Sequence, residues 1–237
     1  MTIKLNNSDN SKKIKLKKGN TLRGNPLREY KKTITLNTMQ REILVGTLLG
    51  DACLPLRKGK PVLCVKFEQN ISKAGYIQHL YSVFYNFVGT PPQIRDIRGG
   101  GAQDRQSIWF RTYGHPEFKF YDELFYPAHE NKGLRRKKRI PKKIHELLTP
   151  RALAYWFMDD GTYYTSNQKR SYVFSTQSFP LEDQERLVQA FRYNFSINAK
   201  IHKDRSMYRL ALPLASSPTF LDLIRPYLHP CFDYKIQ

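Results

Sequence analysis

Apolar positions along the chain predict two core helices, and each of them ends in an acidic residue. The first follows Asn37, which forms a capping box with Gln40, and it ends at Asp51. The second follows Thr149 and ends at Asp160. Both segments are strongly apolar between these residues, which predicts that the two helices lie in the protein core.

The elements predicted after each helix follow in the same order, so the chain contains one internal repeat. In each half a strand is followed by an amphipathic helix, two further strands and a last helix. The ranges predicted for the first half are 62–69, 74–88, 93–98, 108–113 and 117–125. The ranges predicted for the second half are 171–177, 181–195, 198–203, 207–212 and 218–228. The repeat predicts an α+β fold of two pseudo-symmetric halves, each roughly αββαββα, with the core helices packed at a pseudo-two-fold axis.

The charge of the chain predicts a polyanionic partner. The 237 residues include 40 Lys+Arg and 20 Asp+Glu, a formal net charge of +20. Nucleic acid is the first hypothesis and an anionic membrane surface is the second. Residues 1–36 are predicted as a basic N-terminal arm, for which the simpler interpretation is a solvated tail. A basic cluster at 135–143 joins the two predicted halves, 37–143 and 144–237.

The sequence lacks the features of several classes of protein. Cys53, Cys64 and Cys231 are odd in number and far apart, which excludes a disulfide framework and a CxxC pair for zinc. No apolar run approaches the ~20 residues of a membrane span, which excludes an integral membrane protein. No apolar signal-peptide core begins the chain, so we expect a reducing, non-secreted compartment.

The acids at the two helix ends form the first candidate site. Gly46 and Gly50 lie four residues apart, a spacing that lets two helices approach closely. Side-by-side packing brings Asp51 and Asp160 together, and two close carboxylates repel unless a cation lies between them. The predicted cofactor is Mg²⁺ (or Mn²⁺), held by both carboxylates and by the free helix-end carbonyls of Gly50 and Asp159. Such a site favours phosphodiester hydrolysis.

An isolated lysine beside an isoleucine closes each half. Lys138 and Lys235 are therefore candidates to neutralise transition-state charge at a phosphate or to help deprotonate water. The simpler alternative for Asp51 and Asp160 is that they are exposed acids at two helix ends. A helix C-terminus is electrostatically unfavourable for an acid, which weighs against that alternative.

At these residues the sequence resembles the LAGLIDADG homing endonucleases in their single-chain form with two motifs. Residues 44–52 and 153–161 each match the nine-residue motif, and the likeness runs from about Leu22 to the end. The resemblance implies metal-binding catalytic acids at Asp51 and Asp160 and active-site lysines at Lys138 and Lys235. It also implies a saddle of two antiparallel sheets in the DNA major groove. A monomer with an internal pseudo-two-fold axis would cleave both strands of a long, asymmetric target under Mg²⁺. The resemblance also implies an organelle (mitochondrion or chloroplast) or a prokaryotic-type cytoplasm as its compartment.

Two positions depart from the motif pattern. Tyr155 stands where the first motif has Gly46, so the two core helices cannot pack symmetrically. Gly50 stands where the pattern has an acid, and a metal contact there would come from its carbonyl.

Polar residues on the outward side of the predicted strands are candidates for DNA contacts, independently of the family. They supply both phosphate and base-edge chemistry, although each is also compatible with an ordinary exposed strand position, and we expect about half to contact DNA. The candidates are Lys66, Glu68, Arg95, Arg111, Gln177, Lys200, His202 and Arg209.

Three alternatives remain beside the two-motif endonuclease. Glu117 and Lys119 form the E-x-K pattern of another nuclease fold, but they lie within an amphipathic helix pattern. Members of the resembling family also act as intron maturases, RNA-binding folding partners, which makes intron RNA a second candidate partner. A basic DNA-binding protein without a metal would leave the paired acids unexplained.

Overall fold

A computed structural model describes residues 22–55, 63–97, 105–127, 136–166 and 169–237. Within these ranges the chain is α+β, with two antiparallel sheets and helices packed against them. The predicted fold class is therefore confirmed. Among the described residues, no helix is long and apolar enough to span a bilayer.

The helices and strands keep the predicted order in both halves. Those up to the middle of the chain are α1 (Gly24–Thr33), α2 (Thr38–Leu49), β1 (Lys66–Asn70), α3 (Ala74–Val83), β2 (Gln93–Ile97), β3 (Arg105–Arg111) and α4 (Glu117–Phe125). Those that follow are α5 (Pro150–Asp160), β4 (Gly161–Ser166), β5 (Lys169–Phe174), α6 (Leu181–Phe195), β6 (Lys200–Asp204), β7 (Met207–Ala211) and α7 (Ser217–Ile224).

The two sheets share a plan but differ in the strands described. The second sheet has four strands in the order β4-β5-β7-β6, so its half is αββαββα as predicted. The first has three described strands in the order β1-β3-β2. Where the second half pairs β4 with β5, the first half has an antiparallel bridge between Cys53 and Lys66.

Several elements differ from their predicted ranges. No residue range was predicted for strand β4, although its residues Thr-Tyr-Tyr-Thr favour strand conformation. The helix predicted over 74–88 ends at Val83, and the one predicted over 218–228 ends at Ile224; a short 3₁₀ turn follows each. Pro226 lacks the N–H that would continue the second of these helices.

The end of the predicted basic arm is folded onto the first half. Helix α1 lies there, and the Tyr30 hydroxyl donates to the Asn86 carbonyl at 3.1 Å. The His115 ring nitrogen Nε2 is 2.8 Å from the Lys31 carbonyl, and Leu36 is buried. Residues 1–21, most of that predicted arm, lie outside the described residues.

Helices α2 and α5 pack side by side at the centre of one continuous apolar core. The predicted caps are present: Asn37 and Gln40 form the capping box, and the Thr149 hydroxyl accepts from the Ala152 N–H. Contact is closest at Gly46, where a Cβ would lie 2.2 Å from the Ala152 carbonyl oxygen. Only glycine permits this approach, as its spacing in the sequence predicted.

Candidate active site at the ends of the two core helices

The packing of α2 against α5 brings their C-terminal ends together. A Cβ on Gly50 would lie 2.5 Å from the Cβ of Asp159, so the two motif positions touch. The backbone N–H of Asp51 donates to Asp159 Oδ2 at 3.3 Å across the helix interface. Asp51 is exposed, and Asp159 and Asp160 are half-buried. Asp51 and Asp159 are thus in contact, and Asp160 lies near enough for its pKa to be affected by the Asp51 carboxylate.

The Gln69 side chain from the end of β1 lies between two of these acids. Its Nε2 is 2.6 Å from Asp51 Oδ2 and 3.1 Å from Asp159 Oδ1. Gln69 was not among the predicted site residues. Its signal in the sequence is a polar residue on the apolar side of a strand, two positions after the buried Phe67.

The second half has no counterpart of the Gln69 contact at the corresponding position. The strand pairings make Phe174 the equivalent of Phe67, and counting on two residues past the end of β5 gives Thr176 as the position that corresponds to Gln69. The Thr176 hydroxyl is buried, donates to Gln184 Oε1 at 2.9 Å and accepts from the Leu210 N–H at 3.0 Å. It is therefore engaged within the core, and the two halves supply different side chains to the site.

Negative charge accumulates at the site. Burial raises the pKa of Asp160 to about 7, with a further contribution from the Asp51 carboxylate, and the Lys138 ammonium partly opposes the shift. Burial, followed by the Asp51 and Asp160 carboxylates, raises the pKa of Asp159 well above its usual value. Both shifts have the sign expected for carboxylates that lack sufficient positive charge nearby.

The two predicted lysines donate to carbonyls near the ends of the core helices, but not at equivalent positions of the two helices. Lys138 Nζ donates to the carbonyls of Gly50 and Ala52, at 2.7 and 2.9 Å, on either side of Asp51. Lys235 Nζ donates to the carbonyls of Phe157 and Met158, at 3.2 and 2.6 Å, which lie two and three residues before the positions equivalent to Gly50 and Ala52.

The two lysines also differ in how deeply they are buried. Lys138 is half-buried, whereas Lys235 is only 7% exposed and lies beside the rings of Phe157 and Phe232. Burial lowers the pKa of both ammonium groups, that of Lys235 to about 8. Lys138 is thus the more accessible of the two.

The oxygen atoms of the site fit a hard divalent cation. Mg²⁺ usually takes one or two protein carboxylates and keeps several waters. In the described part of the chain, no three His, Cys, Asp or Glu side chains form a ready-made cage. Asp51 and Asp160 could supply the two carboxylates, and the positive charge of the cation would oppose the burial and the Asp51 carboxylate that together raise the pKa of Asp160.

Four predicted DNA-contacting residues share one face of the first sheet. Strand pairing places Lys66 opposite Arg111, and Arg95 opposite Ser107. Glu68 contacts residues on all three strands of this face. It forms ion pairs with Lys66 and, at 2.6 Å, with Arg95, and it accepts a hydrogen bond from Ser107 Oγ at 2.6 Å. We call this surface the first reading face. Its centre is Trp109, with the cations of Lys66 and Arg111 within 6 Å of the ring centroid.

The other four lie on or beside one face of the second sheet. His202 and Arg209 are directly opposite each other, and Lys200 lies two residues before His202 on the same side. Arg209 stacks on the Tyr164 ring at 4.9 Å and hydrogen-bonds its hydroxyl. Gln177 lies beyond β5 and donates to Asp204 Oδ2 at 3.0 Å. This surface is the second reading face.

The E-x-K pattern has a structural explanation. Glu117 accepts from Arg41 Nη2 at 2.7 Å and from the Leu36 N–H at 3.4 Å, and Lys119 pairs with Glu123. The Glu117 contacts connect α4 to the first half of α2 and to the segment before it, and the Lys119 pair lies within α4. The pattern forms no second cluster of acids.

Residues 41–220, which include Asp51, Asp159 and Asp160, match the LAGLIDADG DNA endonuclease family. The chain belongs to this family. It is 33% identical to the probable intron-encoded endonuclease 1 of Wickerhamomyces canadensis. The aligned region of 216 residues covers 89% of each protein. The resemblance inferred from the two motifs and the predicted enzyme class, a DNA endonuclease, are confirmed.

One solved structure and one further relative extend the comparison. The homing endonuclease I-WcaI bound to its DNA recognition sequence matches with a TM-score of 0.81 and 29% identity, over 90% of this chain and 93% of that one. The cytochrome b mRNA maturase bI2 of Saccharomyces cerevisiae is 29% identical over 208 residues, which are 85% of this chain and 48% of that protein.

Proposed function

We propose that the chain is a site-specific homing endonuclease. It binds a long, asymmetric double-stranded DNA target through the major groove and hydrolyses one phosphodiester in each strand with a divalent metal, for intron mobility. The observation that carries the proposal is the close packing of the ends of α2 and α5, which puts Asp51 in contact with Asp159 and near Asp160. The DNA-bound I-WcaI structure, similar over most of the chain, supports it.

The metal would be held by Asp51 and Asp160, with the carbonyls of Gly50 and Asp159 as further oxygen donors. When bound, Mg²⁺ or Mn²⁺ supplies positive charge to the phosphate and makes a bound water more acidic. The side-chain amide of Gln69 fixes the Asp51 and Asp159 carboxylates relative to each other. Rigid placement of charged groups before substrate binds is a major source of catalysis.

Lys138 and Lys235 have different roles in this proposal. Lys138 is half-buried beside Asp51 and can turn its ammonium towards a phosphate oxygen, which would stabilise the negative charge of the transition state. Lys235 is buried, and its donation to the last carbonyls of α5 compensates the negative end of that helix. Lys235 then acts on the site through its charge and by positioning α5.

The reading faces supply the DNA contacts. Lys66, Arg95 and Arg111 on the first face, and Lys200 and Arg209 on the second, offer positive charge to phosphates and donors to guanine edges. Glu68 holds Lys66 and Arg95 at fixed positions, which favours base recognition over loose phosphate contact. The faces differ in composition, which suits an asymmetric target.

The biological setting follows from the same family. Both motif helices come from one chain, so a monomer can supply both halves of the site. A relative whose name describes it as intron-encoded supports an organelle or a prokaryotic-type cytoplasm as the compartment.

A second function, that of an intron maturase, is favoured by one observation. The similarity to the cytochrome b mRNA maturase bI2 spans 85% of this chain. The chain spans about half the length of that maturase, so RNA-dependent splicing activity is a proposal for a protein of this size.

Cleavage selection on a randomised duplex library, with and without Mg²⁺, tests the proposed function. We expect recovery of one long, asymmetric sequence cut in both strands, only when the divalent metal is present. A chain that binds duplex DNA in a salt-dependent way but selects no cleaved sequence under either condition would contradict endonuclease activity.

A further inference from the structure

A buried acid of the second half holds the chain beside Lys138, the accessible lysine of the first half. Asp183 lies in the first turn of α6 and is fully buried. Its carboxylate accepts from Arg139 Nε at 2.8 Å, from Arg139 Nη2 at 3.1 Å and from the Ile140 N–H at 2.9 Å. Arg139 and Ile140 directly follow Lys138 in the chain. We propose that Asp183 is a positioning residue for Lys138, so that the second half sets the geometry of a lysine that acts in the first.

The residues before Lys138 are attached to the first half instead. Arg136 forms an ion pair with Asp122 of α4 at 2.5 Å and stacks on the Tyr126 ring at 4.4 Å. It also donates to the Leu54 carbonyl at 3.2 Å. The backbone of Lys138 is therefore held on one side by the first half and on the other side by Asp183.

The position of the Lys138 ammonium depends on this backbone. Its Nζ donates to the carbonyls of Gly50 and Ala52, on either side of Asp51. A lysine side chain is long and flexible, so it does not fix the place of its own charge. A displacement of about 1 Å at a reacting group can lower a rate by on the order of 100-fold. The inference rests on the proposed function, in which Lys138 stabilises the transition state.

Stability alone does not require an ion pair at this place. The Asp183 carboxylate also accepts from Arg186 Nη1 at 2.5 Å, so two guanidinium groups share one buried acid. Apolar side chains of similar volume often stabilise a core as well as a buried ion pair does, because they avoid the desolvation of charge. A bidentate pair between arginine and a carboxylate adds a defined direction. Direction is what the placement of Lys138 needs.

A contact across the halves also lies beside the second lysine. Lys73, directly before α3, donates to the Cys231 carbonyl at 2.9 Å and lies 4.7 Å from the centroid of the Phe232 ring. Both partners belong to the 3₁₀ segment Pro230–Lys235. Helices α3 and α6 are equivalent in the two halves. Each half therefore contacts, at the start of this helix, the segment that carries the lysine of the other half.

The test is a double-mutant cycle on the full chain with Asp183→Asn and Lys138→Met. Single-turnover cleavage and target affinity are measured on the duplex recovered by cleavage selection. Asp183→Asn should lower the rate constant by about tenfold or more and leave the affinity near that of wild type. In the Lys138→Met background the same substitution should change the rate by less than about twofold, since no ammonium is left to position. Effects that multiply in the double variant would overturn the proposal.

The matched control is Gln184→Met, at the next residue of α6. Gln184 is equally buried, but its side-chain amide donates to the carbonyls of Phe179 and Tyr208 instead of contacting the chain beside Lys138. This variant should lose stability and still cleave at the wild-type rate, at a temperature where circular dichroism shows it to be folded. A rate loss equal to that of Asp183→Asn would contradict a specific positioning role.

A second variant guards against misfolding of Asp183→Asn. In Arg139→Met the Asp183 carboxylate keeps its pair with Arg186, so no buried charge is left without a partner. Arg139→Met should show the same rate loss as Asp183→Asn, again with unchanged affinity. Wild-type cleavage by a folded Arg139→Met variant would overturn the proposal.

Hydrogen exchange of the free protein separates this inference from the proposed function. In Asp183→Asn, backbone exchange of residues 136–141 should accelerate by about tenfold, the equivalent of one lost hydrogen bond, while Gln184→Met leaves that segment unchanged. Unaltered exchange there would overturn the role of Asp183 whether or not the chain cleaves DNA. Local acceleration in a chain whose wild type cleaves no duplex would support the attachment by Asp183 and contradict the proposed endonuclease.

Discussion

Gly50 lies directly against Asp159 where the two core helices meet: a Cβ on Gly50 would be 2.5 Å from the Cβ of Asp159. These two residues occupy equivalent positions in the two motifs, yet one has no side chain and the other carries an acid. The glycine provides the space in which the Asp159 carboxylate reaches the backbone N–H of Asp51. The helix packing at the pseudo-two-fold axis is thus asymmetric because the two motifs have different residues at this position.

Replacing the glycine of closest helix contact should destabilise the protein. In Gly46→Ala, the new methyl would lie 2.2 Å from the Ala152 carbonyl oxygen, which is backbone and cannot move aside alone. We expect urea denaturation to show a loss of at least about 1–3 kcal/mol in the free energy of unfolding, the usual cost of overpacking a core.

Gly75→Ala is the matched control, because it also lies within a helix but its Cβ would meet the Cys231 sulfur at 3.1 Å. Alanine favours helix over glycine, so this variant should stay near wild-type stability. Equal stability of both variants would contradict close packing of α2 against α5.

The two lysines should respond differently to removal of their charge. Lys138→Met should reduce single-turnover cleavage by about 100-fold or more with little change in stability, as expected when one charge-stabilising group is lost. Lys235→Met should mainly lower stability, because the carbonyls of Phe157 and Met158 lose their buried donor. Single-turnover rates and urea denaturation, measured on both variants, check this. A purely catalytic defect in Lys235→Met would contradict the assignment.

The contribution of His79 to the free energy of unfolding should fall at mildly acidic pH. Its ring nitrogen Nε2 lies 2.6 Å from the Tyr155 hydroxyl, and burial, with the neighbouring His229, lowers its pKa below 6.5. The folded state therefore resists protonation of His79, and stability is lost as pH falls below 6.5. Asp160 has the opposite effect on the free energy of unfolding, because its raised pKa favours the folded state as the pH falls.

The contribution of His79 can be isolated by difference. Free energies of unfolding for wild type and His79→Gln, measured between pH 8 and pH 5, should converge as the pH falls. His145→Gln is a suitable control because His145 is exposed. A constant difference between wild type and His79→Gln across this range would show that His79 does not titrate differently on folding.

Glu68 should control specificity through its neighbours. In Glu68→Gln, Lys66 and Arg95 lose their ion pairs and gain freedom to contact any phosphate. We expect tighter binding to random duplex DNA and a broader set of cleaved sequences, with the cleavage rate on the preferred target nearly unchanged. Glu123→Gln removes an exposed acid from α4 and should change neither property. An unchanged cleavage profile in Glu68→Gln would contradict its positioning role.

Local signals in the sequence locate most of the helices. Helix α6 begins after a proline and has an uninterrupted amphipathic pattern, and its predicted range 181–195 is the observed one. The caps at Asn37 and Thr149 likewise mark the starts of α2 and α5. Strand β4 was missed because it begins at Gly161, immediately after helix α5, with no turn between them.

The site itself was predictable only in part. The acids follow from a nine-residue motif, which is local. The Gln69 contact depends on how β1 lies against the helix ends, and the different registers of Lys138 and Lys235 depend on the path of two distant segments. Such tertiary relationships have no local sequence pattern.

Strand cleavage by Asp51→Asn and Asp160→Asn tests the central claim most directly, with the exposed Glu185→Gln as control and with duplex affinity measured alongside. The account predicts that either asparagine variant abolishes Mg²⁺-dependent cleavage and keeps nearly wild-type affinity for the target, while the control cuts normally. Retained cleavage of both strands by the double variant would contradict a metal site shared between the two helix ends.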